Sequence, residues 1–292
     1  MVKRGIFCLA LILLLTLASV FTGCTPQSAK PGATGKIKIV TTIPPLADMI
    51  SIVGGERVEV ISIVPPGASP HLFEPAFEQL KSAANSAALM KIGLKLDDWA
   101  DKIARASSDN MKIFTLSDNV PLDEKNNPHI WLSLKRAIII VENISLHLSE
   151  LDPANKSYYA ENAAKYIEEI KAKDEEFSEG FNKKHDKKFV QFHEAWSYFA
   201  EDYQLQIVAT IEPSPGKEPM PKYLAEVEKI IMDNNIKVVF SEPQLNDRVV
   251  NFLAEELNIK VQILNPIGGS EELAEYLSLM QYNYEKILNS FN

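Results

Sequence analysis

The chain has 292 residues, 46% hydrophobic and 24% charged, and its 39 acidic against 30 basic residues give a formal net charge of −9. The hydrophobic share excludes a disordered or fibrous chain, and the acidic balance argues against a nucleic-acid partner, because phosphate backbones reward clustered Lys and Arg. With 2 cysteines, neither a disulfide framework nor a four-cysteine zinc site can be built.

The chain opens with Lys3-Arg4 ahead of an apolar run of roughly 17 residues that closes in Phe21-Thr22-Gly23-Cys24. A basic start, an apolar centre and small residues before a cut site make a secretory signal peptide, and the run sits at the short edge of a membrane-spanning helix. Its ending resembles a bacterial lipobox, with Phe21 where Leu is usual. That resemblance implies a signal peptide over 1–23, removal of Cys8, and lipidation of Cys24 as the new N-terminus. Residues 24–35 are polar and rich in Pro and Gly, the composition of a flexible tether. The globular part is therefore expected outside the cytoplasm, anchored to the bacterial cell membrane as a lipoprotein.

From Lys36 onward, short β-rich runs alternate with helical patterns. Strands are expected at 36–41, 58–64, 88–92 and 111–116, and helices at 44–53, 75–85, 96–106 and 134–151. Pro44-Pro45 starts the first helix and Gly54-Gly55 stops it. From Ala154 to about Lys184 there is no Pro, and Gly180 is the only Gly. Tyr159, Ala163, Tyr166, Ile170, Phe177 and Phe181 recur there at spacings of three, four or seven, which is one stripe of a single helix. Alternation then resumes, with strands at 188–192, 205–210, 237–240 and 260–264, and helices from Ala195, at 220–234, at 246–257 and at 271–288. The pattern predicts an α/β protein of two lobes with mostly parallel sheets. The N-terminal lobe spans 36–151 and the C-terminal lobe 186–292, joined by one long linker helix over 152–185. Ligands of such sheets bind beyond the carboxyl ends of the strands, so the cleft between the lobes is the expected site.

The sequence contains 5 histidines. His71 lies in the loop after the second strand, His129 in a loop after the fourth, and His193 directly follows the strand at 188–192. Each stands beyond a strand's carboxyl end, facing the expected cleft. His147, within a helix, and His185, in a run of charged residues, read as surface residues. Taken singly, each loop histidine has a structural explanation; their shared placement is what points to a site. Neutral imidazole is the commonest metal-binding side chain, and three imidazoles plus one oxygen suit four-coordinate Zn²⁺.

Five segments occur in one order: Pro66-Gly67-Ala68-Ser69-Pro70-His71-Leu72-Phe73-Glu74-Pro75, Asn127-Pro128-His129-Ile130-Trp131, His193-Glu194-Ala195-Trp196, Phe240-Ser241-Glu242-Pro243-Gln244 and Leu264-Asn265-Pro266-Ile267-Gly268. In these the chain resembles the zinc/manganese receptor lipoproteins of ABC importers, from about Lys36 to the C-terminus. The resemblance implies two α/β lobes on one rigid helix, metal held between them, and delivery of Zn²⁺ to a membrane permease; a monomer is expected. It gives His71 and His129 as ligands from the first lobe and His193 as the first ligand from the second. Manganese-type members carry Glu at that third position, so His193 points to zinc, as softer nitrogen donors do; Mn²⁺ or iron is the alternative cargo. Asn265 stands where the family usually has an Asp as fourth ligand. The fourth position is thus open between Asn265, a water and Glu242. Residues 117–127 contain no His, unlike the His-rich loop of many zinc receptors. Two other readings are a surface adhesin, as some members are described, and a zinc hydrolase with Glu194 or Glu242 as general base. A residue adjacent to a ligand usually points elsewhere, and no enzyme is expected.

Overall fold

The computed structural model describes residues 35–108 and 110–291. The expected signal peptide, Cys24 and the expected tether through residue 34 lie outside the described residues.

The first sheet consists of β1 (Ile37–Thr41), β2 (Val58–Ser62), β3 (Ala88–Lys91) and β4 (Lys112–Thr115), in the order β2-β1-β3-β4, with every pair parallel. The second consists of β5 (Lys188–Gln191), β6 (Gln206–Thr210), β7 (Val238–Ser241) and β8 (Lys260–Ile263), in the order β6-β5-β7-β8, again parallel. Helices α1 (Pro44–Gly54), α2 (Phe77–Ala83) and α3 (Trp99–Ser107) connect the first set of strands. Helices α6 (Ser197–Asp202), α7 (Pro221–Asp233) and α8 (Arg248–Leu257) connect the second. Between the two sets run α4 (Leu134–Leu151) and α5 (Lys156–Asn182), and α9 (Tyr276–Leu288) closes the described chain. The two sheets share one strand order, so each reverses its winding at the equivalent place, between β1 and β3 and between β5 and β7. At that point the connections leave in opposite directions and open a crevice beyond the strand ends.

All six residues of the apolar stripe in α5, Tyr159 to Phe181, are buried. Its 27 residues span about 40 Å at the standard rise. Near its start, Asn162 Nδ2 donates to the carbonyl of Val53 at the end of α1. Near its end, Phe177 stacks on Tyr284 of α9 at 4.1 Å, and Phe181 meets Phe199 of α6 edge-on at 5.8 Å. One rod therefore packs against both lobes.

Three expectations differ from the structure. The helix expected at 96–106 begins only at Trp99. The Asp97 carboxylate turns back to accept from the backbone N–H groups of Ile92 and Gly93, holding 93–98 as a loop. The helix expected at 271–288 is broken into a short 3₁₀ turn at Glu271–Leu273 and α9. Glu275 is extended, and the N–H of Tyr276 donates across the cleft to Asp48 Oδ2 of α1. His147 is not a surface residue: its ring stacks on Phe114 at 4.3 Å, half-buried.

Candidate metal centre

The chain ends of both sheets deliver the three loop histidines to one point. His193 stands two residues beyond β5 and Glu242 directly follows β7, on either side of the second sheet's switch point. His129 precedes a 3₁₀ turn at Ile130–Leu132 in the loop after β4. His71 follows the Pro-rich loop after β2, whose Pro70 carbonyl accepts from the Trp99 indole. His71 Nε2 lies 3.0 Å from His129 Nε2, and His193 Nε2 lies 3.1 Å from the same atom. The three rings offer ligand atoms all within 4.8 Å of one another. Nitrogens bound to Zn²⁺ at tetrahedral angles stand about 3.3–3.4 Å apart, from metal–nitrogen distances of about 2.0–2.1 Å. The two distances to His129 Nε2 reach that by shifts of a few tenths of an ångström.

The central imidazole has its tautomer set by a neighbour. Asn127 Oδ1 accepts from the backbone N–H of His129, and Asn127 Nδ2 donates to the carbonyl of Glu194, which together fix the amide's orientation. His129 Nδ1, 2.7 Å from that oxygen, must therefore carry the proton and donate. Its Nε2 is left as a bare lone pair with two other imidazole nitrogens crowding it. A cation between the rings satisfies all three.

Asn265, one of the three expected candidates for fourth ligand, has its side-chain oxygen engaged within its own part of the fold. Its Oδ1 accepts from Gln244 Nε2 at 2.8 Å and from the backbone N–H groups of Gly268 at 2.9 Å and Ile267 at 3.2 Å. That oxygen is consumed by its own loop, and Asn265 does not line the small cavity at the three rings. Glu242 does line that cavity, but it stands against the far edge of His193, with Oε2 2.6 Å from Nδ1. That oxygen faces the ring edge opposite the one turned to the other imidazoles, without an aligned hydrogen bond to Nδ1, and the second carboxylate oxygen has no partner. Glu194 forms an ion pair with Lys125 at 2.6 Å, at the mouth of a wider cavity of about 190 Å³ on the other side of the rings. The sequence offers Glu242 as a possible ligand or general base and gives no role to Asn127 or Gln244. The signal for them was their presence in the same motifs as the histidines and Asn265.

The family description "zinc-uptake complex component A, periplasmic" matches residues 39–290. The chain belongs to this family. A zinc-binding lipoprotein AdcA of Streptococcus pneumoniae is 30% identical over 302 residues, covering 94% of this chain and 60% of the relative. This chain thus spans about 60% of the length of the first curated relatives it matches. The metal ABC transporter substrate-binding lipoprotein SsaB of Streptococcus sanguinis is 28% identical, with 94% of this chain and 96% of the relative covered. Among solved structures, ZnuA gives a TM-score of 0.81 at 30% identity over 87% of this chain and 99% of that one. The laminin binding protein of Streptococcus agalactiae, described as bifunctional with adhesin and metal transporting activity, gives 0.79 at 27% identity over 87% and 99%.

Burial, and then the neighbouring His193, push His71 down to about 4 from an ordinary 6.5. His129 lies well below 6.5 for the same reasons, with His71 adding to the effect. The unfolded chain therefore takes up these protons first. The stability they contribute is fully present above about pH 6.5 and is lost as the pH falls towards 4. Burial raises Asp48, Asp97, Asp202 and Glu212, which acts in the opposite sense. The imidazole contribution is isolated by difference. The thermal midpoint of the metal-free protein should fall more between pH 7.5 and 5 than that of a His71→Gln/His129→Gln double variant. Equal falls would refute the assignment.

Proposed function

We propose that the protein captures Zn²⁺ outside the cytoplasm and hands it to the permease of an ABC-type importer. The observation that carries this reading is the convergence of His71, His129 and His193 through their Nε2 atoms. It binds as a monomer, tethered through lipidated Cys24 and residues 24–35. The lobes at 36–151 and 186–292 hold the cargo between them, joined by the linker helix at 152–185. Three nitrogen donors favour zinc over manganese, which prefers oxygen. The site binds and releases its cargo without turnover: the three histidines present nitrogen ligands to one point, and Glu194 is paired with Lys125 at the surface.

The test is the metal content of the purified protein, followed by competition among Zn²⁺, Mn²⁺ and Fe²⁺. One zinc per chain is expected, with Mn²⁺ displaced by Zn²⁺ at comparable concentrations. A preference for Mn²⁺, or no bound metal, would overturn the reading.

A further inference from the structure

We infer that Gln244 supplies the fourth ligand to the captured metal through its side-chain Oε1, a role resting on the zinc reading above. The argument begins at Asn265. Backbone N–H groups can only donate, so those of Ile267 and Gly268 identify the Asn265 atom they meet as oxygen. Its backbone is locked as well: Asn265 N donates to Asn283 Oδ1, and Asn283 Nδ2 donates to the Asn265 carbonyl. The Gln244 atom 2.8 Å from that oxygen must then be its NH₂. The Gln244 amide is not free to flip, and its oxygen is fixed on the opposite side.

That oxygen, Gln244 Oε1, is buried and has no hydrogen-bond partner. It belongs to a residue lining the small cavity that His71, His129 and His193 also line. A buried amide oxygen without a partner is rare and costly, so its natural occupant is something that accepts a lone pair. The cavity is about 10 Å³, room for one ion-sized particle and little more. A metal bound to the three Nε2 atoms fills it and is the particle Gln244 Oε1 meets. Glu242 shares the wall, and both its carboxylate oxygens are likewise buried without a hydrogen-bond partner, but its Oε2 lies 2.6 Å from His193 Nδ1, on the ring edge away from the three Nε2 atoms. The resulting set is three imidazole nitrogens and one amide oxygen, four donors in the range that suits Zn²⁺. Asn265 is then a positioning residue: its oxygen takes the Gln244 NH₂ and aims the other end inward.

Co²⁺, whose visible absorption reports its coordination, is the probe, with acetate as an external fourth ligand. In the wild-type protein the fourth position is filled, so the Co²⁺ spectrum should not move on adding acetate. In Gln244→Leu, Co²⁺ and Zn²⁺ should bind roughly tenfold more weakly, a loss of the size seen when metal-site neighbours are removed. The spectrum of that variant should shift with acetate. A wild-type spectrum that acetate alters overturns the proposal, and that arm depends on no variant folding. A folded Gln244→Leu with wild-type affinity and spectrum overturns it as well. His129→Ala, measured alongside, separates the two levels: if it loses metal while Gln244→Leu is silent, only the Gln244 assignment fails. If His129→Ala binds metal as tightly as wild type, the metal site itself is wrong.

Discussion

His129→Ala should weaken zinc binding at least a hundredfold while the protein stays folded. Loss of a mere outer partner of a metal site costs about 10–100-fold, and His129 is the middle nitrogen of the three. Both other Nε2 atoms are positioned from it, at 3.0 and 3.1 Å. Without it, His71 and His193 remain with ring centres 5.6 Å apart, and no third nitrogen closes the set. The fold should tolerate the change, because Asn127 keeps its bond to the Glu194 carbonyl across the cleft. His193→Ala should differ in a telling way. It removes a ligand but also strands the Glu242 carboxylate, whose side chain is only 1% exposed, and a buried charge left without its partner is strongly destabilising. Chelator competition gives the affinities. The thermal midpoint with and without zinc gives a second readout: a ligand at a hundred times its Kd stabilises by about 2.7 kcal/mol, and His129→Ala should lose most of that. Wild-type affinity in His129→Ala would end the three-histidine assignment.

Much of this arrangement is legible in the sequence because it is written in local periodicity. The stripe from Tyr159 to Phe181 needs only the helical repeat to be read, and every member is buried. The placement of His71, His129 and His193 beyond strand ends needs only the alternation of strands and helices. What local pattern does not carry is anything decided by a partner far along the chain. The break before α9 comes from Asp48, on the opposite lobe, taking the N–H of Tyr276. The start of α3 depends on which way the Asp97 carboxylate turns. Asn265 shows the same limit at the site itself. Its residue type and motif suggest a weak oxygen ligand, but two backbone N–H groups of its own turn claim the oxygen first. The orphaned oxygen of Gln244 follows from that, and composition or spacing carries no trace of it.

Trp131→Ala should cost about 3–5 kcal/mol of folding stability, the range for emptying a large aromatic from a core. Trp131 is fully buried and sits two residues past His129, where the lobes meet. Its indole N–H donates to the Pro266 carbonyl at 2.7 Å, and its own carbonyl accepts from the Tyr276 hydroxyl at 2.6 Å. Both of those partners belong to the second sheet's side of the cleft, so one side chain and its peptide tie the two lobes together beside the metal centre. Trp131→Phe separates packing from polarity: it keeps most of the apolar volume but leaves the buried Pro266 carbonyl unpaired, a loss of about 1–3 kcal/mol. Urea unfolding of the metal-free proteins gives both numbers, and the two variants should rank in that order. Zinc affinity should fall with them, because Trp131, Pro266 and Ile267 wall the small cavity at the imidazoles, and a void there lets the rings spread. A Trp131→Ala variant that loses less than about 1 kcal/mol, well below the range for such a deletion, would mean that Trp131 does not carry the contact between the lobes. In that case the other contacts across the cleft, Asp48 with Tyr276 and Asn127 with Glu194, would be what holds the candidate site together.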